Sequence, residues 1–159
     1  MNKLSKTSGE IEAEISQAMI RFEKEFMGRG PLETRTYVVD DLVIVRLKGV
    51  LTATEIKLAE TDGDRGRDLL KQVRHELLDH GRPMLEAVIQ DLLGVEIRSL
   101  HTDISTKTGE RIIVLSLSNK PNIGAGEKQE KHQGTRDADK RNGNGRRPLL
   151  QTLSRGPLA

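Results

Sequence analysis

Two runs rich in β-branched residues, Thr34–Val39 and Leu42–Leu47, stand two residues apart, and no other feature constrains the fold of this chain as tightly. The gap, Asp40-Asp41, has the length of the shortest hairpin loop, so the runs are expected to pair antiparallel. That loop fixes the register: Val39 faces Leu42, Tyr37 faces Ile44 and Arg35 faces Arg46, all on one side of the sheet. The opposite side carries Thr36, Val38, Val43, Val45 and Leu47 and is the better core face.

A second pair of strands, Val95–Asp103 and Arg111–Ser118, flanks the turn Thr106-Lys107-Thr108-Gly109. The last strand is apolar on both faces, with Ile112 and Val114 on one and Ile113, Leu115 and Leu117 on the other. A single layer of helices would leave one of these faces wet. The expectation is therefore helices on both sides or, as the preferred reading, a homodimer that buries the second face.

Helical periodicity fills the remaining length. Thr7 and Glu10 have capping-box spacing, and Ile11, Ile15, Ala18, Met19, Phe22 and Phe26 follow on one stripe until Gly28. Thr52 and Glu55 make a second capping box, opening a short helix through Ile56, Leu58 and Ala59 that Asp62-Gly63-Asp64 interrupts. Leu69, Leu70, Val73, Leu77 and Leu78 trace a third helix that stops near Gly81. Pro83 then suits the first turn of a fourth, with Leu85, Val88, Ile89 and Leu92 on its stripe and Gly94 at its end. The order α-β-β-α-α-α-β-β describes an α+β domain on a four-stranded antiparallel sheet with about four helices.

Composition divides the 159 residues at Ser118/Asn119. Residues 119–159 hold nine Lys/Arg against four Asp/Glu and six of the fifteen Gly, with eight hydrophobic residues among 41. That is too little apolar surface to offset roughly 1–2 kcal/mol of ordering entropy per residue, so a disordered, basic, Gly-rich tail is expected. The body, residues 7–118, belongs to a portion that runs at 17 basic to 20 acidic residues, and it is long enough for one core. The mildly basic total of +2 thus joins an acidic domain to a basic tail. The longest uncharged run of the body lies between Arg111 and Lys120, far short of the roughly 20 residues of a membrane span. Met1–Lys6 leads into polar residues rather than the apolar core of a signal peptide, so a cytoplasmic location is expected.

Candidate chemistry is sparse. With no Cys, thiolate zinc sites and thiol nucleophiles are excluded, and with 2% aromatics there is no stacking platform for single-stranded nucleic acid. Phe22 and Phe26 are committed to a helix core, which leaves Tyr37 as the ring free to meet a partner. His75 and Asp79 share a helix face but lack the second histidine of a zinc helix, so an ordinary amphipathic helix is the reading and no metal or cofactor is expected. His101 and Asp103 lie on one strand face, where they could share a proton, or where Asp103 could simply stabilise the following turn. Gly28-Arg29-Gly30-Pro31 runs from helix to strand, the reverse of a phosphate loop, and holds Arg29 where it could meet an anion or a carboxylate. Arg35 and Arg46, if opposite, repel unless a carboxylate or ligand lies between them. In the tail, Lys140-Arg141 and Arg146-Arg147 could touch phosphate, and Leu149, Leu150 and Leu153 could dock on a partner, with a solvated linker as the alternative.

Four segments in order resemble the MpsC-like family, named for a component of a sodium-translocating, membrane-potential-generating system. They are Gly9-Glu10-Ile11 with Ile15-Ser16, Gly28-Arg29-Gly30-Pro31, Arg46–Thr52 with Glu55, and His101-Thr102-Asp103-Ile104-Ser105. The resemblance implies a small accessory or regulatory binding protein, peripheral to the membrane through transport partners and acting without catalysis. It transfers no catalytic residues, so Arg29, Arg35, Tyr37, Arg46, His101 and Asp103 stand as ligand- or partner-binding candidates. Two alternatives accompany it: nucleic-acid binding through the tail, and an enzyme with an Arg/His site.

Overall fold

The computed structural model describes residues 6–61 and 63–124. Its elements are α1 (Ser8–Phe26), β1 (Glu33–Val39), β2 (Leu42–Lys48), α2 (Ala53–Glu60), α3 (Arg65–Leu93), β3 (Ile97–Ser105) and β4 (Glu110–Leu117). The fold is α+β, with one antiparallel sheet in the order β1-β2-β4-β3.

Both capping boxes form. The Thr7 hydroxyl accepts from the Glu10 amide while the Glu10 carboxylate accepts from the Thr7 amide at 2.8 Å, and Thr52 and Glu55 repeat the arrangement at α2. Each satisfies two helix-end donors that would otherwise face solvent unpaired. The hairpin register is the one its loop length demands: Val39 opposes Leu42, Tyr37 opposes Ile44 and Arg35 opposes Arg46. Asp40 adopts the left-handed φ of 53° that such a tight loop needs and that a short polar side chain tolerates.

The helices collect on the sheet face that carries Val43, Val45, Leu47, Ile113, Leu115 and Leu117, where Ile15, Met19, Phe22, Leu78, Leu85 and Ile89 complete the core. Helix side chains also reach the sheet edges. Glu12 on α1 accepts the β1 amide of Val38 at 2.9 Å, and Gln90 on α3 accepts the β3 amide of Ile97 at 2.9 Å. Each covers a donor that an edge strand would otherwise offer to another chain.

The expected four helices are three. The third and fourth are a single 29-residue helix, α3, running through Gly81 and Pro83. Gly81 is no stop signal. A Cβ there would fall 2.5 Å from Phe22 Cε2 and 3.0 Å from Phe26 Cδ1, so its missing side chain is what lets α1 and α3 approach. Pro83 forfeits a backbone hydrogen bond inside the helix, which tertiary packing overrides. Buried Leu70, Leu78, Leu85, Ile89 and Leu93 stay in phase across the proline, whereas Leu69, Val73 and Val88, assigned above to the core stripe, are exposed.

Past β4 the chain remains against the domain as far as Gly124, six residues into the segment set apart by composition. Pro121 is buried, Ile123 packs on the core, and the Gly124 amide donates to the Lys6 carbonyl at 3.0 Å. The tail motifs Lys140-Arg141, Arg146-Arg147 and Leu149–Leu153 lie outside the described residues.

Candidate functional site

Three arrangements bring chemically capable side chains together. The first is the sheet face turned away from the helices. Alternation along β1, β2 and β4 places Tyr37, Val39, Leu42, Ile44, Ile112 and Val114 there, and no described element covers them. Tyr37 and Val39 are 45% and 46% exposed. Around this apolar middle the charges are already paired within the chain. Glu33 accepts from Arg35 Nε at 2.8 Å and from Lys48 at 3.0 Å, which hold its carboxyl below the ordinary glutamate range. Glu110 accepts from Arg46 Nε at 2.6 Å. The facing arginines are therefore reconciled by carboxylates on either side of the row rather than by a ligand between them.

His101 and Asp103 share this face but do not engage each other. His101 Nε2 lies 3.1 Å from Ser99 Oγ, while Asp103 accepts from Lys71 at 2.9 Å. That lysine and the Ile104 amide keep the Asp103 carboxyl low. On α3, His75 and Asp79 sit 3.4 Å apart as an exposed pair.

The second arrangement is a cleft of about 840 Å³ that contains Arg29. Four connections meet there: the α1–β1 link, Gly49–Thr52, the α2–α3 link and the β3–β4 turn. Backbone bonds fasten them, with Leu32 N–H on Lys48 O at 2.9 Å and Val50 N–H on Gly109 O at 3.1 Å. Gly49 has a positive φ of 64°, and Leu32 lies so close over it that any Cβ would collide. Leu51 floors the cleft, Leu32 and Ile56 wall it, and Arg29, Arg67, Lys107 and Glu60 supply its charges. Arg29 Nη1 donates to the Leu51 carbonyl at 3.1 Å, and Arg67 pairs with Asp64.

The third is a buried ion cluster that sequence reasoning missed. Glu23 on α1 is fully buried, and Arg74 on α3 and Arg111 on β4 are 1% and 2% exposed. Glu23 accepts from Arg111 Nη1 at 2.9 Å and from Arg74 Nη1 at 3.4 Å. Arg74 also clasps Glu55 with Nε at 2.7 Å and Nη2 at 2.9 Å, and Nη2 donates to Val50 O at 2.7 Å. Burial pushes the Glu23 carboxyl up against the pull of the two arginines, and burial lowers Arg111. At Glu55 burial also raises, but the hydrogen bonds from Arg74 and the Thr52 amide prevail and the carboxyl stays low. With its charges satisfied internally, this cluster acts as a structural tie among α1, α2, α3 and β4. Its signal in the sequence is phase: Arg74 lies four residues from both Leu70 and Leu78, and Arg111 shares a strand face with Ile113 and Leu115.

Of the candidate residues, Arg35, Tyr37, Arg46, His101 and Asp103 therefore share the open face, and Arg29 belongs to the cleft. Among the described residues no group of three His, Asp or Glu side chains could hold a metal ion, and no helix is long and apolar enough to cross a membrane. No solved structure matches the chain. It is 38% identical over 116 residues to the uncharacterized protein YbcI of Bacillus subtilis (strain 168), covering 73% of this chain and 92% of that one. The family model described as "Na+-translocating membrane potential-generating system (MpsC)" matches residues 7–119, and the chain belongs to that family.

Proposed function

We propose that the protein is an accessory or regulatory binding subunit of a sodium-translocating, membrane-potential-generating system, working at the cytoplasmic side of the membrane through protein contacts rather than by catalysis. The observation that carries this reading is the open sheet face: an apolar middle ringed by charges that already have partners. A catalytic centre needs groups held apart from their neutralising partners and converging on one point. Here Arg29 lines the cleft, Arg46 is held by Glu110 and His101 lies beside Ser99.

A second copy of the chain is the occupant that suits the face. Glu33 pairs there with Arg35 and Lys48, Glu110 with Arg46 and Asp103 with Lys71, so each of these charges brings a partner of its own to the meeting of two copies. Helix side chains on Val38 and Ile97 disfavour joining through the sheet edges, which leaves the faces to meet. Ion passage then belongs to membrane partners, to which the dimer attaches.

Light scattering at tens of micromolar tests the first step. The expected result is twice the chain mass, falling to the monomer mass in Ile44→Lys; a monomeric wild type would overturn the dimer. Affinity purification from native cells tests the second, and recovery of no membrane transport component would count against the accessory role.

A further inference from the structure

We infer that the cleft beside α2 binds an organic anion, one phosphate, sulfonate or carboxylate group on a ring-sized apolar body. The cleft's volume, about 840 Å³, falls within the usual range for small-molecule sites. Its lining has two characters. Leu51, Leu32 and Ile56 offer aliphatic surface, and Leu32 and Ile56 remain 77% and 44% exposed with no described side chain covering them. Large aliphatic groups left uncovered beside a concavity provide surface that an apolar ligand body can desolvate.

The charges select the sign. Arg29, Arg67 and Lys107 line the cleft against Glu60, the one acid among its described lining residues. Arg67 is engaged by Asp64. Arg29 spends one donor on a neutral carbonyl, and neither it nor Lys107 has a carboxylate partner among the described residues. The planar guanidinium retains further N–H donors, suited to a two-oxygen head group, with Lys107 as the second cation.

The supports of these groups are backbone features. Arg29 is anchored to the β2–α2 connection, Lys107 sits in the β3–β4 turn, and that turn is fastened to Val50 through Gly109. Loops held in this way on a packed scaffold form a pocket before a ligand arrives. The inference stands apart from the accessory-subunit reading, because none of the apolar residues of the open face lines the cleft.

The probe is 1-anilinonaphthalene-8-sulfonate, an aromatic anion that fluoresces on leaving water, compared on the full-length protein with its uncharged parent N-phenyl-1-naphthylamine. The expected result is saturable one-to-one binding of the sulfonate, with the uncharged compound at least about tenfold weaker. Lys107→Gln and Arg29→Gln should each weaken the sulfonate about three- to tenfold, as for loss of one charge-assisted hydrogen bond at a partly wet site. Ile56→Ser should weaken both compounds. If Arg29→Gln fails to fold for want of its bond to Leu51, the exposed Lys107 and Ile56 variants carry the test. Ile44→Lys, which disrupts the open face, should leave sulfonate binding unchanged. Equal affinity for the two compounds, indifference to Lys107→Gln and Ile56→Ser, or loss of binding in Ile44→Lys would each overturn the site.

Discussion

Replacing Glu23 with leucine tests how the buried charges are apportioned. In Glu23→Leu, Arg74 keeps its two bonds to Glu55 and its bond to Val50 O, whereas Arg111 retains the Thr102 hydroxyl at 3.1 Å and no carboxylate among the described residues. The stranded group is therefore Arg111, a cation 2% exposed. Removing one member of a buried ion pair costs about 3–5 kcal/mol, a large part of the 5–15 kcal/mol that holds a typical domain. Arg111→Met alone should cost a similar amount, since Glu23 then keeps only the longer contact to Arg74, 3.4 Å. The two changes together remove both charges and should cost less than about 2 kcal/mol, giving a coupling of several kcal/mol. Urea unfolding followed by far-ultraviolet circular dichroism is the assay, because a chain with no Trp and one Tyr gives little fluorescence signal. The reasoning is refuted if Glu23→Leu costs under about 1 kcal/mol, or if the double variant loses the sum of the single losses.

Other perturbations separate the remaining devices of the fold. Gly81→Ala should destabilise by about 1–3 kcal/mol in thermal melts despite alanine's helix propensity, because the new methyl meets Phe22. Pro83→Ala should act oppositely, raising the melting temperature, as the Asp79 carbonyl regains a helix donor. Thr52→Ala should cost about 1 kcal/mol through loss of the α2 cap, measured in the same melts. For pH, the folded Glu55 carboxyl titrates below its unfolded value, so between the two the unfolded chain holds more protons and stability rises with pH. Glu55→Gln should flatten that acid limb in urea titrations. Glu23 has the reverse sign: its contribution is greatest below the unfolded glutamate pKa and declines as pH rises through its raised folded value.

The strands and helix starts were legible because each depends on a few adjacent residues. Asp40-Asp41 set the register that opposes Arg35 to Arg46, and Thr7/Glu10 and Thr52/Glu55 marked two helix starts. The break assigned at Gly81 and Pro83 misread a long-range fact as a local one, since the glycine answers to Phe22 some sixty residues earlier. Arg74 was hidden for a different reason. A charge between Val73 and His75 reads as a solvated position until Glu23 and Glu55, on other helices, arrive beside it. The cleft was visible only through Arg29, because its other walls lie on connections as distant as Lys107.

The Arg111–Glu23 bond spans 88 positions of sequence and closes only after β4 has docked. That strand discriminates weakly between its faces, because sliding it by one residue exchanges Ile113, Leu115 and Leu117 for Ile112, Val114 and Ser116 and keeps about half of the core face apolar. The same slip would swing Arg111 out to solvent and leave Glu23 beside Ile112 or Glu110, neither of them a cation. The buried charge thus works as a proofreader of strand alignment, rejecting an error that greasiness alone would penalise only in part.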